Sequence, residues 1–336
     1  MRISIDAMGG DYAPAEIVAG TVRAAKCLSG ISKLYLVGDE AVIRAELDKQ
    51  KGPIPACIEI VHASEVVEMG ESPAVAIRRK KDSSIGRAVD LVKKGEADAI
   101  FSAGNTGAAV AAATLKLRTL NGVDRPAIAT VLPTPKDPFV LLDAGANPDS
   151  TPEMLLQYAV MGTIYSHEIL GIENPSVGLL SIGEEEAKGN ETTKKAFAML
   201  NNTNLNFIGN VESRDMFGAR VNVVVCDGFV GNVVLKTAES VGSMLSGWLK
   251  REFRKNPWRM LGALLGNSVF KYLREQSNPS NYGGAPLLGA NGVVIIGHGS
   301  SDAHAVFNAV RVASETVDQQ VNHLIEGALE KYALPN

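Results

Sequence analysis

Six glycine-containing polar loops carry the clearest chemical potential in this sequence. Each follows a β-branched run and pairs glycine with a polar or charged side chain, at 6–11, 102–107, 143–147, 183–190, 227–232 and 297–302. Glycine lets the backbone approach a ligand closely, and the free amides at the start of a helix bind anions. Any one loop is also compatible with an ordinary turn or cap. Six together indicate a site for phosphate or for an oxyanion formed during a reaction.

Two of the loops, 102–107 and 227–232, lead into predicted helices, whose dipoles favour an anion at the N-terminus. Across all the loops, the residues expected to line the site are Gly9, Gly10, Ser102, Gly104, Asn105, Thr106, Asn147, Asn190, Gly231 and Ser300. Carboxylates in the same loops would repel a bare phosphate. We therefore expect these acids to orient a lysine or backbone amides, and the acids in question are Asp6, Asp11, Asp143 and Asp227.

Motifs for other kinds of site are missing from the sequence. There is no GxxxxGK[ST] and no GxGxxG after a strand, because the 297–302 loop lacks the third glycine. There is also no GxSxG, HExxH or EF-hand pattern. The three cysteines form no CxxC motif, and Cys226 follows three valines, which favours a buried, inert thiol. The sequence therefore predicts no organic cofactor, no metal ion and no covalent nucleophile.

Short apolar runs alternate with helical patterns, which predicts an α/β fold with an open, mostly parallel sheet and crossover helices. Strands are predicted at 2–6, 33–37, 58–62, 97–101, 127–131, 139–143, 177–181, 206–208, 221–226 and 293–296, and long helices at 151–167, 231–255 and 301–331. Ligands bind at the carboxyl ends of parallel strands, so the six loops should meet in one crevice. No linker stands out, and residues 1–336 are predicted to form one catalytic unit with soft subdomain boundaries.

Composition narrows the functional classes. The chain has 336 residues, of which 46% are hydrophobic and 21% charged, and this balance excludes disorder, collagen and coiled coil. The net charge of −4 gives no nucleic-acid signature. The longest uncharged stretch, 99–115, is too short and too polar to span a bilayer. We expect a cytoplasmic protein that is soluble or at most bound to a membrane surface.

Six motifs, in order along nearly the whole chain, carry a family resemblance. They are Asp6-Ala7-Met8-Gly9-Gly10-Asp11, Ser102-Ala103-Gly104-Asn105-Thr106-Gly107, Lys188-Gly189-Asn190-Glu191, Asp227-Gly228-Phe229-x-Gly231-Asn232, Asn281-Tyr282-Gly283-Gly284-Ala285 and His298-Gly299-Ser300-Ser301-Asp302. Together they resemble the PlsX family of phosphate acyltransferases. One of these motifs alone would be weak, but the six jointly are highly specific.

The resemblance implies transfer of a long-chain acyl group from acyl carrier protein to inorganic phosphate. The acyl phosphate would feed a membrane glycerol-phosphate acyltransferase at the start of phospholipid synthesis. It also implies a homodimer and a fold like those of isocitrate and isopropylmalate dehydrogenases and phosphate acetyltransferase. No cofactor is implied, and the expected partners are the carrier, phosphate and a membrane surface rather than nucleic acid.

Phosphate is already a nucleophile near neutral pH, so such an enzyme needs to position it and to stabilise an oxyanion. Lys188 and Asn232 match a lysine and an asparagine of the family pattern, and we expect them to supply the cation and a neutral donor. The alternatives are a solvated loop lysine and a plain helix cap. His298 is a candidate proton shuttle or a structural histidine, whereas His304 is expected to pack behind the site.

A basic run, Arg78-Arg79-Lys80-Lys81, is the expected docking site for the acidic carrier protein. The alternative is a solvated helix end, which is common for such runs.

A second basic segment predicts contact with a membrane. Residues 249–275 contain seven basic and two acidic side chains interleaved with large apolar ones. On one helix from residue 257, one face would carry Trp258, Leu261, Leu265, Val269 and Tyr272. This pattern is typical of an amphipathic helix on anionic lipid. We predict a protruding helical hairpin at 231–275, which alternatively serves as a dimer contact through the Gly262 and Gly266 spacing.

Two other functions compete with acyl transfer. The same fold could carry a decarboxylating dehydrogenase, which would need a nicotinamide site and a metal-binding aspartate cluster. A non-catalytic membrane scaffold would need the 231–275 segment but not Lys188.

Overall fold

A computed structural model describes residues 1–276 and 279–332. Its strands are β1 Arg2–Asp6, β2 Lys33–Gly38, β3 Ile58–His62, β4 Ala99–Ser102, β5 Ala127–Ile128, β6 Thr130–Leu132, β7 Phe139–Leu142, β8 Val177–Leu180, β9 Phe207–Val211, β10 Val223–Val225, β11 Ala285–Leu288 and β12 Val293–Ile296. Its helices are α1 Ala15–Cys27, α2 Glu40–Asp48, α3 Pro73–Arg79, α4 Ser84–Lys93, α5 Thr106–Lys116, α6 Pro152–Glu168, α7 Glu191–Asn201, α8 Ser213–Phe217, α9 Gly228–Phe253, α10 Pro257–Leu265, α11 Asn267–Gln276, α12 Ala303–Asp318 and α13 Val321–Leu329.

The strands form two sheets rather than the single sheet expected from the sequence. One sheet has the order β3-β2-β1-β4-β12-β11-β5, and the other has the order β6-β7-β10-β8-β9. The predicted strand at 127–131 is divided between them, because β5 and β6 lie on either side of Ala129 and join different sheets. The Ala129 amide donates to the Pro286 carbonyl at 2.9 Å, which ties this crossing point to β11.

Most strand pairs are parallel, which confirms the predicted α/β class. The exceptions lie toward one edge of each sheet, where β11 runs antiparallel to β12 and β5, and β6 runs antiparallel to β7. The central strands of the first sheet are buried on both faces, as Ile5 on one face and Ile100 on the other illustrate. This burial explains their uninterrupted apolar sequences.

Close helix packing covers the first sheet. Helices α1 and α12 lie against each other, and a Cβ at Gly20 would come within 2.5 Å of the Val306 Cβ. The same apolar cluster joins residues of these helices to those of β1, β4 and β12. Helices α1 and α12 therefore cover one face of the sheet, and the glycine loops lie at its carboxyl edge.

Two predicted helices are interrupted. The helix expected at 301–331 ends at Asp318 and restarts at Val321, because Gln320 adopts a left-handed backbone with φ of 52°. The helix expected from residue 257 ends at Leu265, with Gly266 as its C-cap. The second break contradicts the single amphipathic face, since Val269 lies on a separate helix from Trp258, Leu261 and Leu265.

None of the helices described at 1–276 and 279–332 is both long enough and apolar enough to cross a bilayer.

Candidate active site

Three of the glycine loops meet at the carboxyl edge of the seven-stranded sheet. We call them the Asp6 cluster, which comprises residues 6–11, 102–107 and 297–301. The Asp11 amide donates to the Gly299 carbonyl at 2.7 Å, and the Gly297 amide donates to the Ser102 carbonyl at 2.8 Å. Strands β1, β4 and β12 are neighbours in this sheet. The expected convergence therefore holds for these three loops.

The backbones in the Asp6 cluster are so close that side chains would not fit between them. A Cβ at Gly9 would lie 2.6 Å from Asp6 Oδ2 and 2.7 Å from the Gly104 nitrogen. Gly10 has φ of 112°, a conformation that glycine adopts without strain. Both observations agree with the sequence-based prediction that these glycines bring main-chain groups close together.

A buried carboxylate organises this cluster. Asp6 accepts a hydrogen bond from Ser102 Oγ at 2.7 Å, and Ser102 Oγ in turn accepts one from the Gly104 amide at 3.2 Å. Burial raises the pKa of Asp6, and its hydrogen bonds oppose that rise. The hydroxyl proton of Ser102 is thus committed to Asp6. Its role in the structure is to shape the loop.

The start of α5 offers two free amides beside this cluster. Asn105 Oδ1 caps the helix by accepting from the Ala108 amide at 3.0 Å. Its Nδ2 donates to the carbonyls of Glu68, Met69 and Glu71 at 3.0–3.3 Å, so the whole side chain is used internally. Among the described residues, none accepts from the amides of Thr106 and Gly107. Those amides and the exposed Thr106 hydroxyl remain for a ligand.

His298 is held with one nitrogen facing outward. Its Nδ1 accepts from the Ser300 amide at 3.3 Å and lies 2.7 Å from Ser300 Oγ. Because the Ser300 amide can only donate, Nδ1 is the acceptor and Nε2 carries the hydrogen. His298 is exposed. By contrast, His304 Nε2 is held by Asn281 and Asn308 at 3.0 and 3.2 Å, in the packing position expected from the sequence.

Two further loops meet at the carboxyl edge of the five-stranded sheet. We call them the Asp143 cluster, which comprises residues 143–147 and 227–232. Asp143 is buried and accepts five N–H bonds at 2.7–3.2 Å, from the amides of Ile128, Gly145, Ala146 and Asn147 and from Asn147 Nδ2. Burial raises the pKa of Asp143, and these bonds oppose that rise. Asp143 folds its loop around itself, as expected of an acid that orients amides.

The Asp143 loop fixes the first turn of α9. The Gly228 amide donates to the Asn147 carbonyl at 2.8 Å. A Cβ at Gly231 would overlap the Asp143 carbonyl oxygen. Asp227 is the N-cap, and its Oδ1 accepts from the Val230 amide at 2.8 Å. The backbone of this turn therefore has no room to shift toward the loop.

Asn232 lies on that turn but is not its cap, so the alternative interpretation of this residue as a plain helix cap is wrong. Its side chain is exposed and lies beside Gly145, where a Cβ would be 3.4 Å from the Asn232 Cβ. None of the described residues makes a hydrogen bond to its side-chain amide. The backbone of Asn232 is thus fixed, and its side-chain amide remains free to donate a hydrogen bond.

Lys188 lies in the loop after β8, which is the neighbour of β10 in the five-stranded sheet. The lysine side chain folds over Gly183, where a Cβ would lie 3.0 Å from Lys188 Cγ. The described residues give its ammonium group no carboxylate within ion-pair distance, and no hydrogen bond joins it to Asn232 or to the Asp6 cluster. Asn190 caps α7 by accepting from the Thr193 amide. An exposed, unpaired cation therefore lies in a loop that leaves the same sheet edge as the loops of the Asp143 cluster.

The two clusters rest on one apolar core. The Ala144 amide donates to the Ile128 carbonyl of β5 at 2.8 Å, which links the Asp143 loop to the seven-stranded sheet. Leu235 of α9 packs against the same apolar cluster that contains Ala108 and Ala112 of α5. The first turns of α5 and α9 are thus supported by shared packing.

Other candidate residues are used structurally. Cys226 is buried, and burial raises the pKa of its thiol well above the usual value, as expected for an inert cysteine. Lys80 donates to the Val66 carbonyl at 2.6 Å and pairs with Glu71. It is therefore less available to a partner than the exposed Arg78, Arg79 and Lys81. No trio of metal-ligating side chains occurs in the described part of the chain.

Sequence reasoning missed the strap at 68–71, whose carbonyls bind Asn105. The next helix, α3, also packs on α5, where a Cβ at Gly107 would lie 2.6 Å from Pro73 Cγ. Carbonyl groups are common to every residue type, so no sequence signal identifies such a strap.

Structural comparison places the fold among acyl-transfer enzymes and a dehydrogenase. A phosphotransacetylase from Streptococcus pyogenes is similar with a TM-score of 0.63 and 19% identity, covering 96% of this chain and 94% of that one. A 4-hydroxythreonine-4-phosphate dehydrogenase from Klebsiella pneumoniae is similar with a TM-score of 0.51 and 14% identity, covering 94% and 99%. At such identities these likenesses concern the fold alone.

Sequence comparison is more specific. The fatty acid synthesis protein family matches residues 1–324. A phosphate acyltransferase from Desulfitobacterium hafniense (strain DSM 10664 / DCB-2) is 52% identical over 333 residues, covering 99% of this chain and 98% of that protein. A phosphate acyltransferase from Nostoc sp. (strain PCC 7120 / SAG 25.82 / UTEX 2576) is 49% identical, covering 98% and 96%. These relatives support an enzyme rather than a non-catalytic scaffold, and the chain belongs to the PlsX family of phosphate acyltransferases.

Proposed function

We propose that this acyltransferase moves a long-chain fatty acyl group from the thioester of acyl carrier protein to inorganic phosphate. The product is an acyl phosphate that a membrane glycerol-phosphate acyltransferase consumes in phospholipid synthesis. The observation that carries the proposal is an exposed, unpaired Lys188 in the loop after β8, at the same sheet edge as Asn232, whose backbone is fixed by the Asp143 cluster. Full-length relatives named phosphate acyltransferase supply the reaction class.

Phosphate binds through main-chain donors and one cation. The amides of Thr106 and Gly107, at the positive end of α5, supply the main-chain donors. Lys188 supplies the charge, and Asn232 donates to the oxygen of the thioester carbonyl as it becomes an oxyanion. These groups stabilise charge without a covalent intermediate on the protein.

The reaction balances without a cofactor. A phosphate oxygen attacks the thioester carbon, a C–O bond forms, and the carbonyl becomes an oxyanion. When the oxyanion collapses, the C–S bond breaks and the carrier thiolate leaves. The thiolate takes a proton from the phosphate, His298 Nε2 donates a hydrogen bond to a phosphate oxygen, and acyl phosphate and free carrier thiol remain.

The direct test is to incubate the purified enzyme with palmitoyl-carrier, with and without phosphate, and to measure free thiol and acyl phosphate. We expect equal amounts of both, and only when phosphate is present. Lys188→Ala and Asn232→Ala should each lower turnover by roughly 10²–10³-fold. Thiol release that does not need phosphate would indicate a hydrolase and refute the proposal.

Matched controls separate chemistry from folding. Lys194 is an exposed lysine on α7, and Thr237 is an exposed polar residue on α9. Lys194→Ala and Thr237→Ala should keep turnover within about twofold of the wild type, since exposed changes of this kind are usually small. All four variants should unfold at similar temperatures.

The carrier docks on the exposed basic groups of α3 and the turn after it. Acidic helices of a carrier would be drawn to Arg78, Arg79 and Lys81, and this attraction weakens with salt. Reversing the three charges to Glu should raise the KM for acyl-carrier and leave the KM for phosphate unchanged. An unchanged KM for acyl-carrier with a raised KM for phosphate would mean that the carrier docks elsewhere.

The segment after the first turns of α9 contacts the membrane or a second copy of the chain. Trp258, Leu265 and Val269 are 82%, 78% and 56% exposed, and Leu261 is 46% exposed. Flotation with anionic vesicles tests the membrane role of the hairpin, and light scattering tests the dimer. Trp258→Ala with Leu265→Ser should abolish vesicle binding without changing solution turnover, whereas unchanged binding would contradict the membrane role.

A further inference from the structure

The first turn of α9 carries an apolar arc that the chemistry described above does not use. With 100° per residue, Gly228, Gly231 and Asn232 fall on the side that faces the Asp143 loop. The opposite arc carries Phe229, Val230 and Val233. These three side chains are 67%, 38% and 50% exposed.

The exposed ring of Phe229 at this position is available to contact a bound molecule. The turn is fixed by the Gly228 bond to Asn147 and by the contact of Gly231 with Asp143, and Phe229 lies on the side of the turn away from that loop. On the helix, Phe229 and Asn232 are separated by about 60°. Phe229 therefore borders the donor amide of Asn232.

A second exposed apolar side chain borders Lys188. Ile182 is 82% exposed and directly precedes Gly183, over which the Lys188 side chain lies. It leaves the carboxyl edge of β8, the strand beside β10. Each of the two proposed catalytic side chains thus has an apolar neighbour at the same sheet edge.

We infer that Phe229 and Ile182 bind the acyl chain of the donor, at the methylenes nearest the thioester. The inference rests on the proposed function, because it places the thioester carbonyl between Lys188 and Asn232. An acyl chain leaving that carbonyl must pass the residues that border the two polar groups. Apolar contact there stabilises long-chain donors and sets the preference over short-chain ones.

The test compares kcat/KM for palmitoyl-carrier and butyryl-carrier at saturating phosphate. Phe229→Ala should lower kcat/KM roughly tenfold with the palmitoyl donor and less than about twofold with the butyryl donor. Ile182→Ala should act in the same direction, and Phe229→Leu should restore most of the palmitoyl activity. Light scattering and thermal unfolding should be unchanged.

Trp248 is the matched control, since it is a 50% exposed aromatic on the same helix, roughly 28 Å further along its axis. Trp248→Ala should not alter the ratio of the two donors. Equal losses with both donors, no loss with either, or a dissociated Phe229→Ala protein would overturn the acyl-contact role. A wild-type enzyme that needs no phosphate would instead refute the proposed function itself.

Discussion

The Asp6 and Asp143 clusters solve the same folding problem in different ways. Each places a buried carboxylate at the carboxyl edge of a sheet and wraps a glycine loop around it. Asp6 accepts from the Ser102 hydroxyl and the Met8 amide, and its loop holds backbone directly against backbone at Gly9 and Gly104. Asp143 accepts five N–H bonds and presses its loop against the first turn of a helix.

This difference suggests separate roles for the two clusters, one in binding phosphate and the other in the chemical step. The Asp6 cluster leaves main-chain amides free at the start of α5, and such groups bind an anion in its ground state. The Asp143 cluster fixes the backbone of Asn232, whose side chain in the proposed reaction acts on charge that develops at the thioester carbonyl. Changes in the first cluster should therefore affect the KM for phosphate, and changes in the second should affect kcat.

The largest effect is expected from Gly231→Ala. The added methyl group overlaps the Asp143 carbonyl oxygen, so the first turn of α9 must move and take Asn232 with it. We expect kcat to fall by roughly 100-fold and the free energy of unfolding to fall by about 1–3 kcal/mol. Initial rates and urea denaturation measure the two effects.

Gly242 provides the control on the same helix, since nothing lies within 4 Å of a Cβ there. Gly242→Ala should keep kcat and gain roughly 0.5–1 kcal/mol from the better helix propensity of alanine. If both alanine variants were equally active, the proposed fit between α9 and the Asp143 loop would be wrong.

The next effect distinguishes the clusters by kinetics. Gly9→Ala would bring a Cβ to 2.7 Å from the Gly104 nitrogen and push apart the loops that lead to α5. We expect the KM for phosphate to rise roughly tenfold, because each weakened charge-assisted hydrogen bond is worth about 1.5 kcal/mol, while kcat changes less. Gly327→Ala, at a site with open space, is the control. A fall in kcat at constant KM would remove the distinction between the clusters.

A smaller effect tests the charge of Asp143. Burial raises its pKa above the ordinary value of 3.8, so between these two values the folded protein binds more protons than the unfolded chain. This group's contribution to stability is fully present below pH 3.8 and declines as the pH rises through the raised pKa. Asp143→Asn removes that dependence and costs about 1–3 kcal/mol, because an amide donor then faces backbone donors.

Denaturant titrations at pH 4, 6 and 8 test this predicted pH dependence of the free energy of unfolding. The advantage of the wild type over Asp143→Asn should be greatest at pH 4 and smallest at pH 8. An advantage that grows with pH would mean that the five N–H bonds outweigh burial and that the pKa is lowered.

The sequence predicted the loops better than the architecture. Apolar strands such as β12 and the glycine loops that follow them are visible because their residue types are needed locally. The division of strands at Ala129 depends on which sheet offers a partner, and no local residue type records that choice. Likewise, Asn105 was identified as a polar loop residue, but its partners are carbonyls of a distant strap. A cap role for Asn105 was compatible with its sequence, whereas its bonds to the strap could not be predicted.

The smallest effect concerns that strap, which only the Asp6 cluster possesses. Lys80 pairs with Glu71 and lowers its pKa below the ordinary 4.5. The stability from this pair is therefore present above pH 4.5 and is lost as the pH falls through the lowered pKa. Lys80→Met should lower the Tm by about 1–2 °C at pH 7, less at pH 3, and should raise the KM for phosphate less than twofold.

Lys81→Met is the control, because Lys81 is exposed and its side chain has no ion-pair partner among residues 1–276 and 279–332. Both variants lose one positive charge beside α5, so a purely long-range effect on phosphate would be the same in both. If the Tm of Lys80→Met is lower than that of Lys81→Met at pH 7 and this difference disappears at low pH, the lost stability comes from the ion pair with Glu71. The strap would then support the α5 amides mechanically, whereas the Asp143 cluster has its support within its own loop.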